Sequence, residues 1–242
     1  MEAMDPRYHD PLLGVVFDLD GTLVLSPHPF DRMRREVIRI AERHGVAPGH
    51  LSITQTIPAL MDAAVHELER NGAPAGNRYR FEAEATRRID EIELESLPGT
   101  VVRPGAVELL GALEERSYRV GVLTRSCATF AHEALKKTGL TRFVHTLRTR
   151  SESGPAKPDP EALLLTLKAM DVPPNRAVYV GDHLLDAECA MRARVRFFAL
   201  LPPHPNALGT DVDRFKAAGA AAIAPSLADL GRQLGFARLP AL

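Results

Sequence analysis

Residues 12–22 read LLGVVFDLDGT. Leu12 to Leu19 is a short, almost wholly apolar run with two adjacent valines and a phenylalanine. Such a run suits a strand buried on both faces, as in a parallel sheet covered by helices. It ends on Asp18-Leu19-Asp20-Gly21-Thr22. Two carboxylates spaced i, i+2 on extended backbone face the same side of the chain. Held close together they repel, which favours a bound divalent cation or protonation of one of them. Gly21 permits a tight turn just beyond. An Asp-Gly pair also marks ordinary strand-ending turns, but two acids at the end of a buried strand are costly without a partner.

Val120–Leu123 (VGVL) and Ala177–Val180 (AVYV) read as strands of the same kind, with Phe197–Leu201 (FFALL) and Ala220–Ala224 (AAAIA) as weaker ones. Helical patterns lie between them. Ala106, Leu109, Leu110 and Leu113 share one helix face, opened by Pro104, and residues 126–137, 159–170 and 184–194 fill the other gaps. Strand and helix alternate from Val101 onward. That alternation predicts a doubly wound α/β core with a mainly parallel, Rossmann-like sheet.

Residues 27–97 break the rhythm. Met33, Val37, Ile40 and Ala41 repeat at helical spacing. So do Ile57, Leu60, Met61, Ala64, Val65 and Leu68, and then Phe81, Ala85, Ile89 and Ile92. About 70 residues far exceed the ten or twelve of a simple crossover, so the expectation is an inserted all-helical domain between core segments 1–26 and 98–242. SPHP at Ser26–Pro29 and LPGT at Leu97–Thr100 would be its hinges.

The 242 residues carry 30 Lys plus Arg against 31 Asp plus Glu, a net charge of -1, which leaves no electrostatic footprint for nucleic acid or an anionic membrane. Cys127 and Cys189 form no metal pattern; one disulfide between them is possible, but a chain of this length needs no such staple. No stretch approaches the roughly 20 apolar residues that span a bilayer. The first residues, MEAMDPRYHDPLL, carry acids and prolines where a secretion signal wants basic residues and then an apolar run. A soluble, cytoplasmic protein is expected.

Three more polar segments follow strands, where open α/β sheets bind their ligands. Thr124-Arg125-Ser126 offers a hydroxyl and backbone N–H groups at a strand-to-helix junction, a cradle for phosphate or simply a helix cap. Lys157, in AKPDP, stands out because only 5 of the 30 basic residues are lysines (Lys136, Lys137, Lys157, Lys168 and Lys216). A lysine ahead of a helix begun by Pro160 can offer a point charge to a phosphoryl oxygen. In Gly181-Asp182-His183-Leu184-Leu185-Asp186, the two acids can reach one cation, one directly and one from behind. Asp186 also suits a helix first turn, and His183 takes no assignment.

DxDGT, T-R, K-P and GDxxxD, in this order, resemble the haloacid dehalogenase-like superfamily. The helical insert after DxDGT resembles members with a C1-type cap, and RPGAVELLGAL resembles the phosphoglycolate phosphatase-like branch. Arg125 stands where that family often has asparagine or a small residue. The resemblance implies a phosphatase that hydrolyses a small phosphorylated metabolite. Asp18 would be the nucleophile, forming an aspartyl-phosphate, and Asp20 the general acid and base. Thr124, the Arg125 amide and Lys157 would hold the phosphoryl oxygens. Mg2+ would be held by Asp18, the Asp20 carbonyl and Asp182, with Asp186 in support. Asp20 separates this chain from haloacid dehalogenases, and residues 27–97 contain no lysine for the Schiff base of phosphonoacetaldehyde cleavage. A sugar-phosphate mutase shares every one of these core residues and stays open, as does a non-catalytic phosphometabolite-binding protein. Oligomeric state, monomer or homodimer, is open too. Arg32, Arg34, Arg35, His66, Arg78, Tyr79 and Arg80 are the insert's possible anchors for an acidic metabolite.

Overall fold

The computed structural model describes residues 11–152, 154–202 and 210–236; the N-terminal residues 1–10, whose acids and prolines were weighed above, lie outside them. The chain divides into two compact units, residues 1–26 with 100–242, and residues 27–99.

The larger unit is built on six parallel strands: β1 (Gly14–Phe17), β4 (Arg119–Leu123), β5 (Thr146–Arg148), β6 (Ala177–Gly181), β7 (Arg196–Leu200) and β8 (Ala222–Ala224). Their order is β5-β4-β1-β6-β7-β8. β1 pairs with β4 on one side and β6 on the other, so that Val16 faces both Gly121 and Tyr179 in register. From β4 the chain moves outward to β5, then returns across β1 to β6. The order therefore reverses at β1, and a crevice opens at the carboxyl ends beside it.

Side chains along β1 alternate between two cores. Val15 and Phe17 join Leu109, Leu110, Val120, Val122 and Val178. Val16 joins Leu163, Leu167, Tyr179, Ala187 and Ala190 on the other face. That double burial is why the strand's sequence is apolar at successive positions rather than at every second one. The covering helices are α4 (Ala106–Glu115), α5 (Ala128–Lys137), α6 (Pro160–Ala169), α7 (Leu184–Ala193), α8 (Thr210–Ala217) and α9 (Leu227–Gln233). Pro160 is the first residue of α6 and the Asp159 side chain caps it by accepting from the Glu161 N–H. Pro104, by contrast, does not open α4: Gly105 is the N-cap, in the left-handed region at φ 87°.

Two pieces escape the sequence pattern. β5 is a short edge strand whose three residues are all half-buried, and a two-stranded antiparallel ribbon joins β2 (Val24–Leu25) to β3 (Val101–Val102). Cys127 and Cys189 are both buried, and no disulfide joins them.

The smaller unit holds three helices, α1 (Phe30–Arg43), α2 (Ile57–Arg70) and α3 (Ala75–Leu94). Their apolar stripes close on one core that includes Met33, Val37, Ile40, Leu60, Leu68, Phe81 and Ile92. Thr56 caps α2, its hydroxyl accepting from the Ala59 N–H. Arg32 pairs with Glu95, Arg34 with Asp31 and Arg78 with Glu69. Among the described residues, no helix is long and apolar enough to cross a membrane.

Candidate active site

Asp18, Thr124 and Asp182 each follow the last residue of a neighbouring strand, β1, β4 and β6. Strand pairing continues into the site: the Asp18 N–H donates to the Val180 carbonyl at 2.8 Å and the Thr124 N–H to the Arg148 carbonyl at 2.9 Å. Three side chains, Asp18, Asp182 and Asp186, bring one carboxylate oxygen apiece within 4.8 Å of one another. Lys157, 139 residues from Asp18 in sequence, donates to Asp18 Oδ1 at 2.6 Å and to Asp186 Oδ1 at 2.7 Å. Lys157 is only 4% exposed, so this pairing is desolvated rather than a surface contact.

The backbone brings the carboxylates this close. Gly21 turns at φ +84°, which L side chains rarely adopt, and a Cβ there would stand 2.1 Å from Asp182 Oδ2, so any side chain would strain the turn and push that carboxylate aside. Gly181 leaves room in the same way for Asp186, whose Oδ2 would lie 2.4 Å from an added Cβ. The Thr22 hydroxyl reaches Asp182 Oδ1 at 3.4 Å.

Asp186 serves two structures at once. In α7 it completes a capping box: its Oδ2 accepts from the His183 N–H at 3.1 Å, while His183 Nδ1 accepts from the Leu185 N–H at 3.1 Å. Its Oδ1 accepts from Lys157 and from the Tyr179 hydroxyl at 2.7 Å. Asp186 thus starts α7 and also stands in the acidic cluster with Asp18 and Asp182. His183 acts as a helix cap.

Thr124 and Ser126 do not cap α5. The Thr124 hydroxyl accepts from the Ser126 N–H at 3.0 Å, Cys127 occupies the cap position, and Ser151 Oγ accepts from the Ala128 N–H at 2.9 Å. The Arg125 guanidinium turns to the main chain, donating to the Lys157 carbonyl. Arg150 in turn donates to the Arg125 carbonyl at 2.7 Å. Three loops are thereby laced together around the lysine.

Burial of like charges shapes the electrostatics. Burial pushes the Asp18 carboxyl up to about 6, with Lys157 opposing and Asp186 adding to the rise. Asp182 is held well above the ordinary carboxylate range by burial, Asp18, Asp186 and Asp20. Burial presses the Lys157 ammonium down, but Asp18 and Asp186 outweigh it and hold it above an ordinary lysine. Three converging carboxylates with one ammonium leave an excess of negative charge among hard oxygen donors. That donor set fits a divalent cation.

Two groups at the site carry little warning in sequence. Tyr179 sits in a strand read only as apolar, although a hydroxyl buried in such a run needs a partner. Arg103, one of 25 arginines, is buried against the Gly21 turn, donating to the Gly21 and Leu201 carbonyls.

A family model for haloacid dehalogenase-like hydrolases matches residues 12–194. The chain belongs to that family. Among curated relatives, it is 28% identical over 239 residues to a phosphoglycolate phosphatase of Rhodospirillum rubrum, covering 92% of this chain and 91% of the relative. It is 27% identical over 197 residues to a validoxylamine A 7'-phosphate phosphatase of Streptomyces hygroscopicus subsp. limoneus, covering 78% and 85%. Among solved structures, a haloacid dehalogenase-like hydrolase of Bacteroides fragilis superposes with a TM-score of 0.63 at 21% identity over 92% of this chain and 99% of that one. A structure titled as a beta-phosphoglucomutase of Thermotoga maritima gives 0.59 at 19% identity, over 93% and 100%. Both structural likenesses establish the shared fold.

Proposed function

We propose that this chain is a Mg2+-dependent phosphatase of small phosphate monoesters, working through an aspartyl-phosphate on Asp18. The observation that carries the proposal is the meeting of Asp18, Lys157, Asp182 and Asp186 in one cluster, buried except for the half-buried Asp182, from segments far apart in sequence. The phosphatase names of two relatives support the reaction class.

Asp18 attacks phosphorus through its carboxylate oxygen, and the bond from phosphorus to the ester oxygen breaks. Asp20, two residues along the same segment, gives its proton to the departing alcohol. It then takes a proton from the water that attacks the phosphorus, and the Asp18–phosphorus bond breaks to release phosphate. Lys157 holds Asp18 in place before attack and meets the negative oxygens that develop during transfer. The Thr124 hydroxyl, which accepts from Ser126, keeps its own proton to donate to a phosphoryl oxygen. Bound Mg2+, held by Asp18, the Asp20 carbonyl and Asp182 with Asp186 behind, would offset the repulsion between a dianionic phosphate and a carboxylate nucleophile. Residues 27–97 take the role of the cap in this reading, selecting the substrate.

Phosphate release is measured over a panel of phosphorylated metabolites, phosphoglycolate among them, with and without Mg2+. The proposal expects Mg2+-dependent release from at least one and from a generic aryl phosphate, abolished in Asp18→Asn. Interconversion of sugar phosphates that needs a bisphosphate primer, without net phosphate release, would replace hydrolysis by the mutase reaction. Full activity in Asp18→Asn would remove the nucleophile, and failure to bind Mg2+ would favour a binding protein.

A further inference from the structure

Arg103 is a buried charge that the reaction above does not use. It is 4% exposed, and its guanidinium donates to two main-chain carbonyls, Gly21 in the DxDGT turn and Leu201 just past β7, the latter at 2.6 Å. Its own N–H donates to the Leu23 carbonyl at 2.9 Å. The β2–β3 ribbon thus delivers the residue to the turn, since Arg103 follows β3 directly and β2 follows the turn. Burying a guanidinium against two neutral carbonyls is costly, the attraction of the Asp182 carboxylate offsets only part of that cost, and an apolar residue would fill the same space without it. What the guanidinium alone supplies is a planar fork that joins two carbonyls in fixed geometry.

The geometry points to Arg103 as a positioning residue for the metal site. By tying Gly21 to the end of β7, it fixes the turn against which the Asp182 carboxylate rests. Only a turn held at this place lets the bare α-carbon of Gly21 lie against Asp182, where an added Cβ would stand 2.1 Å from Oδ2. If the turn drifts by a fraction of an ångström, the Asp20 carbonyl and the Asp182 carboxylate lose their common approach to a cation. The inference rests on the Mg2+ reading above.

The test is Mg2+ binding by isothermal titration calorimetry on the full chain, wild type against Arg103→Lys and Arg103→Met. Groups that orient metal ligands from behind are worth roughly 10-fold or more in affinity, so the Mg2+ dissociation constant is expected to rise by about that factor in both variants. Turnover of an aryl phosphate at low Mg2+ falls with it, and KM changes less than kcat. Leu113→Ala, a core change in α4, serves as a control. It lowers the melting temperature and leaves Mg2+ affinity unchanged, as a merely structural role for Arg103 would. Wild-type affinity in Arg103→Lys overturns the inference, because lysine keeps the charge but offers it from a single nitrogen in place of the planar fork that spans the two carbonyls. Failure of both variants to fold overturns it too, since Arg103 would then serve the fold rather than the site. Wild-type protein that takes up no Mg2+ fails the functional reading itself, and the inference with it.

Discussion

Replacing Lys157 by methionine is the most informative single change. The ammonium lies 2.6 Å from Asp18 and 2.7 Å from Asp186, with both Lys157 and Asp186 almost wholly buried. At an effective dielectric of about 20, charges roughly 3 Å apart attract by about 5 kcal/mol each. Much of that is offset by the cost of desolvating the ammonium, and breaking a buried pair costs about 3–5 kcal/mol overall. For a chain of this size that lowers the melting temperature by roughly 6–20 °C. The loss has a pH signature. Asp18, already pushed up to about 6 by burial, loses Lys157, the group that opposes the rise. A carboxyl with a raised folded-state pKa contributes stability that is full below its unfolded value and is lost as pH rises through the folded value. The metal-free variant should therefore melt lower at about pH 8 than at about pH 5, by more than the wild type does. Adding Mg2+ should recover stability, because a cation can replace the missing positive charge. It should not recover rate, since one preorganised group on the transferring oxygens is worth about 10²–10³ in kcat. Thermal melts across pH, with and without Mg2+, and single-substrate kinetics make the assay. A variant melting like the wild type at high pH without metal, or turning over within a few-fold of it, refutes the electrostatic account of the cluster.

With Asp18 as the proposed nucleophile, the rate should also report its ionisation directly. Burial raises its carboxyl to about 6, and the protonated form cannot attack, so kcat/KM at limiting Mg2+ should fall as pH drops through that value. Saturating Mg2+ binds only the ionised form and should move the acid limb lower; a limb that ignores Mg2+ argues that some other group titrates. Tyr179→Phe removes the hydroxyl that reaches Asp186 Oδ1 at 2.7 Å, and a bond to a charged acceptor is worth about 1.5–3 kcal/mol, so denaturant unfolding should show a loss of that size. Arg125→Asn frees the Lys157 carbonyl, and kcat should drop several-fold while Mg2+ affinity holds. An unchanged kcat would leave the guanidinium with no part in holding the lysine.

Much of this architecture is legible from residue type because the central strands are buried on both faces. β1, β4, β6 and β7 show as apolar runs for that reason. β5 does not, because a three-residue edge strand reading TLR, half-buried throughout, has no apolar run to show. The two-residue strands β2 and β3 are invisible for a similar reason: Val24–Leu25 and Val101–Val102 are too short to show a pattern of their own. Pro104 misleads because proline suits a helix start in general, whereas here the turn ahead of α4 needs a left-handed residue and Gly105 takes the cap.

The site divides along the same line. Lys157 stands out because lysine is scarce in this chain, but Arg103 is lost among 25 arginines although it is as deeply buried. The distinguishing property of Arg103 is what it touches, and contacts over such separations are set by strand order. The reversal of that order at β1 explains why these polar residues gather there. With β4 and β6 on either side of β1, the segments after all three strands project from the same end of the sheet. Asp18, Thr124 and Asp182 are neighbours for that reason alone. Lys157 and Asp186 then enter through the loops before α6 and into α7, the helices that cover one face of these strands. A polar residue just after a buried strand can thus be suspected from sequence, while its partners follow only once the order of the strands is known.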